Sequence, residues 1–183
     1  QAEDGIRDSV ASRGLGDVYK RQGCQQSHQS EVRVMKIAVA CDHGGFPLKQ
    51  DIFEQLQSMG HEVADLGAHQ LDPEDDYPDF ARYVGQAIQH GHVDRGVVIC
   101  GSGVGACVAA NKLDGVRASI CHDTYSAAQG VEHDNINVLC LGARIVGVSL
   151  ANELVIAFVN ATFNPEERYA RRLDKVKAIE AAH

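Results

Sequence analysis

The chain has 183 residues, 44% hydrophobic and 23% charged, with a formal net charge of -8. That length suits one globular α/β domain with a real core, and the acidic balance argues against nucleic acid or an anionic membrane surface as the main partner. No apolar run approaches the roughly 18 residues a membrane span needs.

Residues 1–34 differ from everything after them. They are polar, carry no sustained period, mix acids with bases and hold no apolar core of a signal peptide. The run DVYKRQ is also what one reading frame of a sequencing-transposon end would encode. The stretch is expected to be a disordered extension or an artefactual leader, with the domain proper spanning 35–183.

From Met35 strands and helices alternate. KIAVAC (36–41) is a short apolar strand ended by Asp42-His43-Gly44-Gly45, and 47–60 has helical spacing with a glycine stop. HEVADLG (61–67) reads as a second strand, and the Asp- and Pro-rich run 71–80 as a loop leading into a helix that reaches about Gly91. GVVIC (96–100) is the most β-like run and breaks at GSGVG into a short helix, ACVAANKL. Strand 116–121, helix 124–132, strand 137–142 and helix 148–161 follow, and a basic helix closes the chain. Five short apolar strands alternating with helices predict a three-layer α/β/α, Rossmann-like domain around a five-stranded parallel sheet, plus a C-terminal helix.

In such sheets ligands lie beyond the carboxyl ends of the strands. That rule picks out Asp42-His43, Cys100-Gly101-Ser102, His122-Asp123 and the segment around Arg144. The loop CGSGVGA is the sharpest feature: Gly101, Gly103 and Gly105 allow a tight turn that brings N–H groups to a ligand at a helix N-terminus. Taken alone it admits three readings: a cradle for phosphate or a developing oxyanion, a nucleotide loop with Asp123 as the ribose acid, or a bare turn.

The six cysteines (Cys24, Cys41, Cys100, Cys107, Cys121, Cys140) form no CxxC pair, so neither a disulfide framework nor a zinc site is expected, and the compartment reads as a reducing cytoplasm. Cys41, Cys121 and Cys140 read as core residues. Cys100 differs because it abuts the glycine loop, and a helix N-terminus favours a thiolate. Of nine histidines, His61, His90 and His92 read as solvated, while His43 and His133 read as loop residues at the site end, fit for acid–base work. On the last helix Arg168 and Arg172 are four apart and share a face, placed to clamp a phosphate, to form a solvated basic face, or to reach a neighbouring subunit.

Together these residues resemble the type B ribose-5-phosphate isomerase family, which includes allose and galactose phosphate isomerases. The resemblance covers about Met35 to Ala182 through KIAVACDHGGFPLK, DDYPDFA, GVVICGSGVGACVAANK, GVRAS and EHDNINVLCLGARIVG. It implies an aldose–ketose isomerase working through a cis-enediolate on ribose 5-phosphate and ribulose 5-phosphate. The alternatives are a hexose 6-phosphate isomerase, a nucleotide-dependent oxidoreductase and a non-catalytic sugar-phosphate binder. The resemblance gives Cys100 as the base, since Ala106 stands where other members carry a glutamate, and His133 as the ring-opening histidine. It sets Ser102 beside the base, Asp42 on the sugar hydroxyls, and the amides from Gly101 to Gly105 on the enediolate oxygens. His43, Arg144, Arg168 and Arg172 fall on the phosphate side. It implies no metal and no organic cofactor, and a homodimer whose sites borrow residues from the second subunit. One departure stands out: where the family has Asn after the ring-opening histidine, this chain reads His133-Asp134-Asn135, which puts a carboxylate, or Asn135 in its place, against the enediolate.

Overall fold

The computed structural model describes residues 33–182. Of the leader read over 1–34, residues 1–32 lie outside the described residues. Five strands and six helices alternate: β1 (Lys36–Cys41), α1 (Phe46–Ser58), β2 (Glu62–Asp65), α2 (Tyr77–Gln89), β3 (Arg95–Cys100), α3 (Val104–Ala110), β4 (Ala118–Ile120), α4 (Thr124–Asp134), β5 (Val138–Gly142), α5 (Val148–Asn160) and α6 (Glu167–Glu180). All strand pairs are parallel and the sheet runs β2-β1-β3-β5-β4. This is the three-layer α/β/α architecture expected.

Strand side chains alternate between the two faces. Ile37, Val39, Val97, Ile99, Leu139 and Leu141 join one core with Leu48, Ile52, Leu56, Val131, Leu154 and Phe158 from α1, α4 and α5. Ala38, Ala40, Val98, Cys100, Val138 and Cys140 join the other with Ala81, Val84, Ala106 and Ala110 from α2 and α3. The second face is built from smaller side chains, so α2 and α3 lie close to the sheet. At Gly96 an added Cβ would stand 2.2 Å from the Val84 side chain.

Some boundaries differ from the reading of the sequence. α2 begins at Tyr77, inside the run read as loop, because Pro78 sits in its first turn, where proline's fixed φ and missing N–H do no harm. β4 is only three residues long. Here Asn137 ties the chain ahead of the strand, its N–H donating to the Arg117 carbonyl and its side chain accepting from the Arg117 N–H. His61, read as solvated, is 7% exposed; its Nδ1 accepts the Met35 N–H, and burial holds its pKa below the usual histidine value. His90 and His92 are exposed as expected.

The strand order places a topological switch between β1 and β3. The chain leaves β1 toward β2 on one side, and β3 pairs on the other. The loops after these two strands therefore diverge and leave a crevice at the carboxyl edge.

Candidate active site

The crevice is lined by Asp42, His43 and Gly44 after β1, by Cys100, Gly101, Ser102 and Gly105 after β3, by Arg144 and Ile145 after β5, and by Tyr77 opening α2. Its volume is about 310 Å³, and a second hollow of about 360 Å³ continues from His43, Gly44 and Arg144 toward α1 and α5.

The backbone is packed tightly enough here to demand glycine. A Cβ on Gly45 would lie 2.2 Å from the Ile99 carbonyl oxygen, and one on Gly142 would lie 2.6 Å from the Ser102 carbonyl. Gly103 sits at φ +81, a left-handed conformation that side chains resist. That turn points the Gly103 N–H at the Cys100 sulfur, 3.0 Å away. Neighbouring loops are stitched together by backbone bonds from Ala143 N–H to the Cys100 carbonyl (2.9 Å) and from Arg144 N–H to the Gly101 carbonyl (3.0 Å).

Each lining residue has a definite setting. Cys100 is 4% exposed and closes β3 with an amide donor at its sulfur. Ser102 is exposed, its Oγ 3.3 Å from the Val104 N–H. Asp42 is 6% exposed and spends one carboxylate oxygen on the Gly45 N–H at 2.9 Å, so it fixes the turn into α1 as well as facing the crevice. The Arg144 guanidinium lies beside Gly101, 3.5 Å from where a Cβ would stand. His43 is held by Asp75, whose Oδ1 accepts both the His43 backbone N–H (2.9 Å) and ring Nδ1–H (2.8 Å). This contact, with Asp42 adding to it, raises the His43 pKa above its ordinary value.

The thiols sort by environment. Cys41, Cys100, Cys107, Cys121 and Cys140 are all unpaired. Burial pushes Cys41 up to about 11 and also raises Cys121; Cys140 is raised by its hydrogen bond with Cys107 and by burial. Cys107 goes the other way, to about 7, through the same contact with Cys140 and bonds from the Ile120 backbone and Asn111 side chain. Cys107 packs against the α2–α3 core and does not line the crevice. Of the described thiols, Cys100 alone lines the crevice.

The expected site is not assembled within one chain. His133 was read as a loop residue at the site end, but α4 continues through Asp134. The helix starts at the carboxyl edge, after β4, and runs back about 16 Å over its 11 residues. His133, Asp134 and Asn135 therefore lie at the amino edge. There Asn135 caps the helix at φ +53 and its carbonyl accepts from Arg117 Nε, just ahead of β4. The His133 ring stacks on Tyr169 of α6 with centroids 4.1 Å apart, and its Nδ1 meets the Gln129 side chain at 2.7 Å. The Asn164 N–H donates to the Glu132 carbonyl, so α6 begins at this same edge. Arg168 and Arg172 are exposed there, away from Cys100. Asp42, His43, Cys100, Gly101, Ser102, Gly105 and Arg144 are brought together, with Gly103 shaping the loop beneath them. His133, Asp134, Asn135, Arg168 and Arg172 form a second, separate set.

Two lining residues, Tyr77 and Ile145, and one residue that holds His43, Asp75, were not singled out in the sequence. Tyr77 packs its ring over Gly105, where a Cβ would stand 2.6 Å from it. Ile145 is exposed beside Arg144. Asp75 reads as one acid among several in a polar loop, and only its pairing with His43 distinguishes it.

A glycine loop, a thiol and an acid–histidine pair thus converge at the switch point of a parallel α/β sheet, and comparison with known proteins gives the class to which they belong. The sequence profile of the ribose/galactose isomerase family matches residues 37–176. The chain is 43% identical over 145 residues to ribose-5-phosphate isomerase B of Escherichia coli, covering 79% of this chain and 96% of that one. It is 39% identical over 130 residues to a D-erythrulose-4-phosphate isomerase of Pectobacterium atrosepticum, covering 71% and 86%. The structure of ribose-5-phosphate isomerase B from Mycoplasma genitalium with bound ribulose-5-phosphate superposes with a TM-score of 0.77 at 42% identity, covering 81% and 97%. The protein is thus an intramolecular oxidoreductase of the sugar-phosphate isomerase class. Within that class it belongs to the ribose/galactose isomerase family, among the type B ribose-5-phosphate isomerases.

Proposed function

We propose that this protein interconverts ribose 5-phosphate and ribulose 5-phosphate through a cis-enediolate, with Cys100 as the base. The observation that carries the reading is the position of Cys100: of the described thiols it alone lines the crevice, with a backbone donor on its sulfur. In the open-chain aldose the Cys100 thiolate removes the C2 proton, and the electron pair moves onto the C1 carbonyl oxygen. The proton is returned at C1 while the O2 hydroxyl proton passes to O1, so C1 is reduced as C2 is oxidised and no external oxidant or reductant is needed. Amides of the Gly101–Gly105 loop and the Ser102 hydroxyl hold the enediolate oxygens, Asp42 orients sugar hydroxyls, and His43 and Arg144 take the phosphate. His133 opens the ring. No nucleotide enters. The test is turnover of ribose 5-phosphate by the purified protein with no added nicotinamide. A rate appearing only with nicotinamide would overturn the reading, and binding without turnover would favour a lapsed enzyme that retains the ligand.

The active unit on this reading is a homodimer in which His133, Asn135, Arg168 and Arg172 of one copy complete the crevice of the other. Two observations support it. The polar residues fall into two sets at opposite edges of the sheet, and Val104, Val108, Tyr125 and Ile145 are exposed apolar side chains on segments at the carboxyl edge, where a second copy would cover them. Co-expression of Cys100→Ala and His133→Ala chains checks this. Each variant alone is expected to be inactive, while a mixed dimer contains one intact site, so random pairing restores about a quarter of wild-type activity. No restoration would mean that each chain works alone.

Asp134 bears on rate. A carboxylate facing a developing oxyanion opposes it, so Asp134→Asn is expected to raise kcat on ribose 5-phosphate by about tenfold, equivalent to ~1.4 kcal/mol at the transition state. A rate that stays level or drops would assign the contact to Asn135. The Pectobacterium relative bears the name of a four-carbon substrate, and that observation favours a second reading in which chain length is the variable. Relative kcat/KM on tetrose, pentose and hexose phosphates decides it. The place of action is the cytoplasm, supported by the unpaired thiols; no helix among the described residues is long and apolar enough to cross a membrane.

A further inference from the structure

The acidic loop before α2 carries a residue whose setting is not explained by packing. Asp75 is largely shielded, its side chain 12% exposed, and a single oxygen takes both bonds from His43. Its other oxygen, Oδ2, is buried without a hydrogen-bond partner among the described residues. A carboxylate left half-satisfied away from water is costly unless a positive charge stands beside it, and His43 is the neighbour that can supply one. Because the ring donates through Nδ1 to Asp75, a neutral imidazole would offer only a lone pair at Nε2. The imidazolium alone donates at both nitrogens.

We propose that Asp75 is the positioning residue for His43, pinning it by backbone and ring together so that Nε2–H is presented to the phosphate group of the substrate. This rests on the reading of the crevice as a sugar-phosphate site. The other titratable or charged groups facing His43 are Asp42 at the end of β1, Cys100 at the end of β3, Tyr77 at the start of α2 and Arg144 after β5. The N-terminal residues of α1 that line the adjoining hollow, Pro47 and Leu48, carry no charge.

The sign of the pH effect follows. His43 is raised above 6.5, first by the Asp75 bond. Below 6.5 an unpaired histidine would be charged anyway, so there Asp75 adds nothing to the charge of His43. Above it, up to the raised value, only the paired histidine keeps its proton. A phosphate monoester is a dianion above about pH 6, so the window in which Asp75 acts is the one in which dianion meets imidazolium.

Two measurements on the full chain test this, with wild type, Asp75→Asn and Asp75→Glu compared. The first follows the His43 ring resonances by NMR against pH with no ligand, assigned with His43→Gln. The midpoint is expected to fall in Asp75→Asn, because the bond that raises it is weakened, and to be largely restored in Asp75→Glu. The second is titration with inorganic phosphate and the KM for ribose 5-phosphate between pH 6 and 9. Phosphate affinity should weaken several-fold in Asp75→Asn above pH 6.5 but not below it, with the loss falling on KM rather than kcat. An unchanged His43 midpoint would overturn the proposal. So would a lowered midpoint with unchanged phosphate affinity, because His43 would then not face the phosphate. Both the midpoint and the phosphate titration remain readable if ribose 5-phosphate proves not to be turned over, so failure of the substrate reading is told apart from failure of this one.

Discussion

Cys100→Ala is expected to abolish aldose–ketose interconversion, lowering kcat by about 10³-fold or more while the protein stays folded and still binds the sugar phosphate. The magnitude is that of losing a positioned general base, which contributes about 10²–10⁴-fold. No described side chain stands ready to replace it. Ala106 occupies the position that could hold a carboxylate and is itself fully buried, and Asp42 has one oxygen committed to the Gly45 N–H. Cys107, the thiol with the lowered pKa, points into the α2–α3 core instead of the crevice. Progress curves from ribose 5-phosphate, with binding followed separately by calorimetry, check it. Full activity in Cys100→Ala would remove the thiol from the mechanism. The change in buried volume is small, and a melting curve on the same sample checks that the variant is folded.

The second large effect is on the scaffold. Gly45→Ala is expected to destabilise the domain by about 3 kcal/mol, at the severe end of overpacking substitutions, and to lower Tm by about 10 °C for a domain of this size. The added methyl would lie 2.2 Å from the Ile99 carbonyl oxygen, which belongs to β3 in the sheet centre. Unlike a side-chain tip, that oxygen cannot swing aside. The turn must then lift off the strand, and Gly45 N–H loses Asp42 Oδ1, so Asp42 and His43 shift with it. Activity should fall along with stability even at temperatures where the variant is folded. A melting curve superimposable on wild type would show that the turn can move freely, which would undercut the view that the crevice is preformed.

Much of the fold was legible because β1, β3 and β5 are short apolar runs ending at glycine or acid, and parallel strands buried on both faces leave that signature. The order of the strands was not. Nothing local in VRASIC or NVLCLG says that β5 lies between β3 and β4, because that order is decided by how α3 and α4 cross over the sheet. The carboxyl-edge half of the site was legible for the same reason as the strands: Asp42 and Cys100 each end one, and the chain direction fixes which end faces the ligand. His133 is misplaced by the sequence pattern because a polar loop residue between helix and strand carries no mark of which edge of the sheet it faces. What places it at the far edge is the direction of α4, which starts after β4 at the carboxyl edge and runs back across the sheet. The two helical residues beyond 132 add only about 3 Å, and the stop signal is Asn135 in a left-handed cap. An asparagine ahead of an apolar run can equally begin a loop, so the local pattern does not distinguish the two. Asp75 was hidden by its company, since a run such as PEDD reads as a solvated loop until a partner from another strand end is seen against it.

The burial of Cys100 has a practical consequence for chemical labelling. Among the described thiols a thiol-specific reagent meets Cys107 before Cys100, because Cys107 is half-buried and its pKa lies at about 7, whereas Cys100 is 4% exposed at the crevice wall. The first equivalent of label incorporated would then leave the proposed base untouched. The stoichiometry of modification and the residual activity would follow separate curves, and a bulky reagent would widen the gap between them.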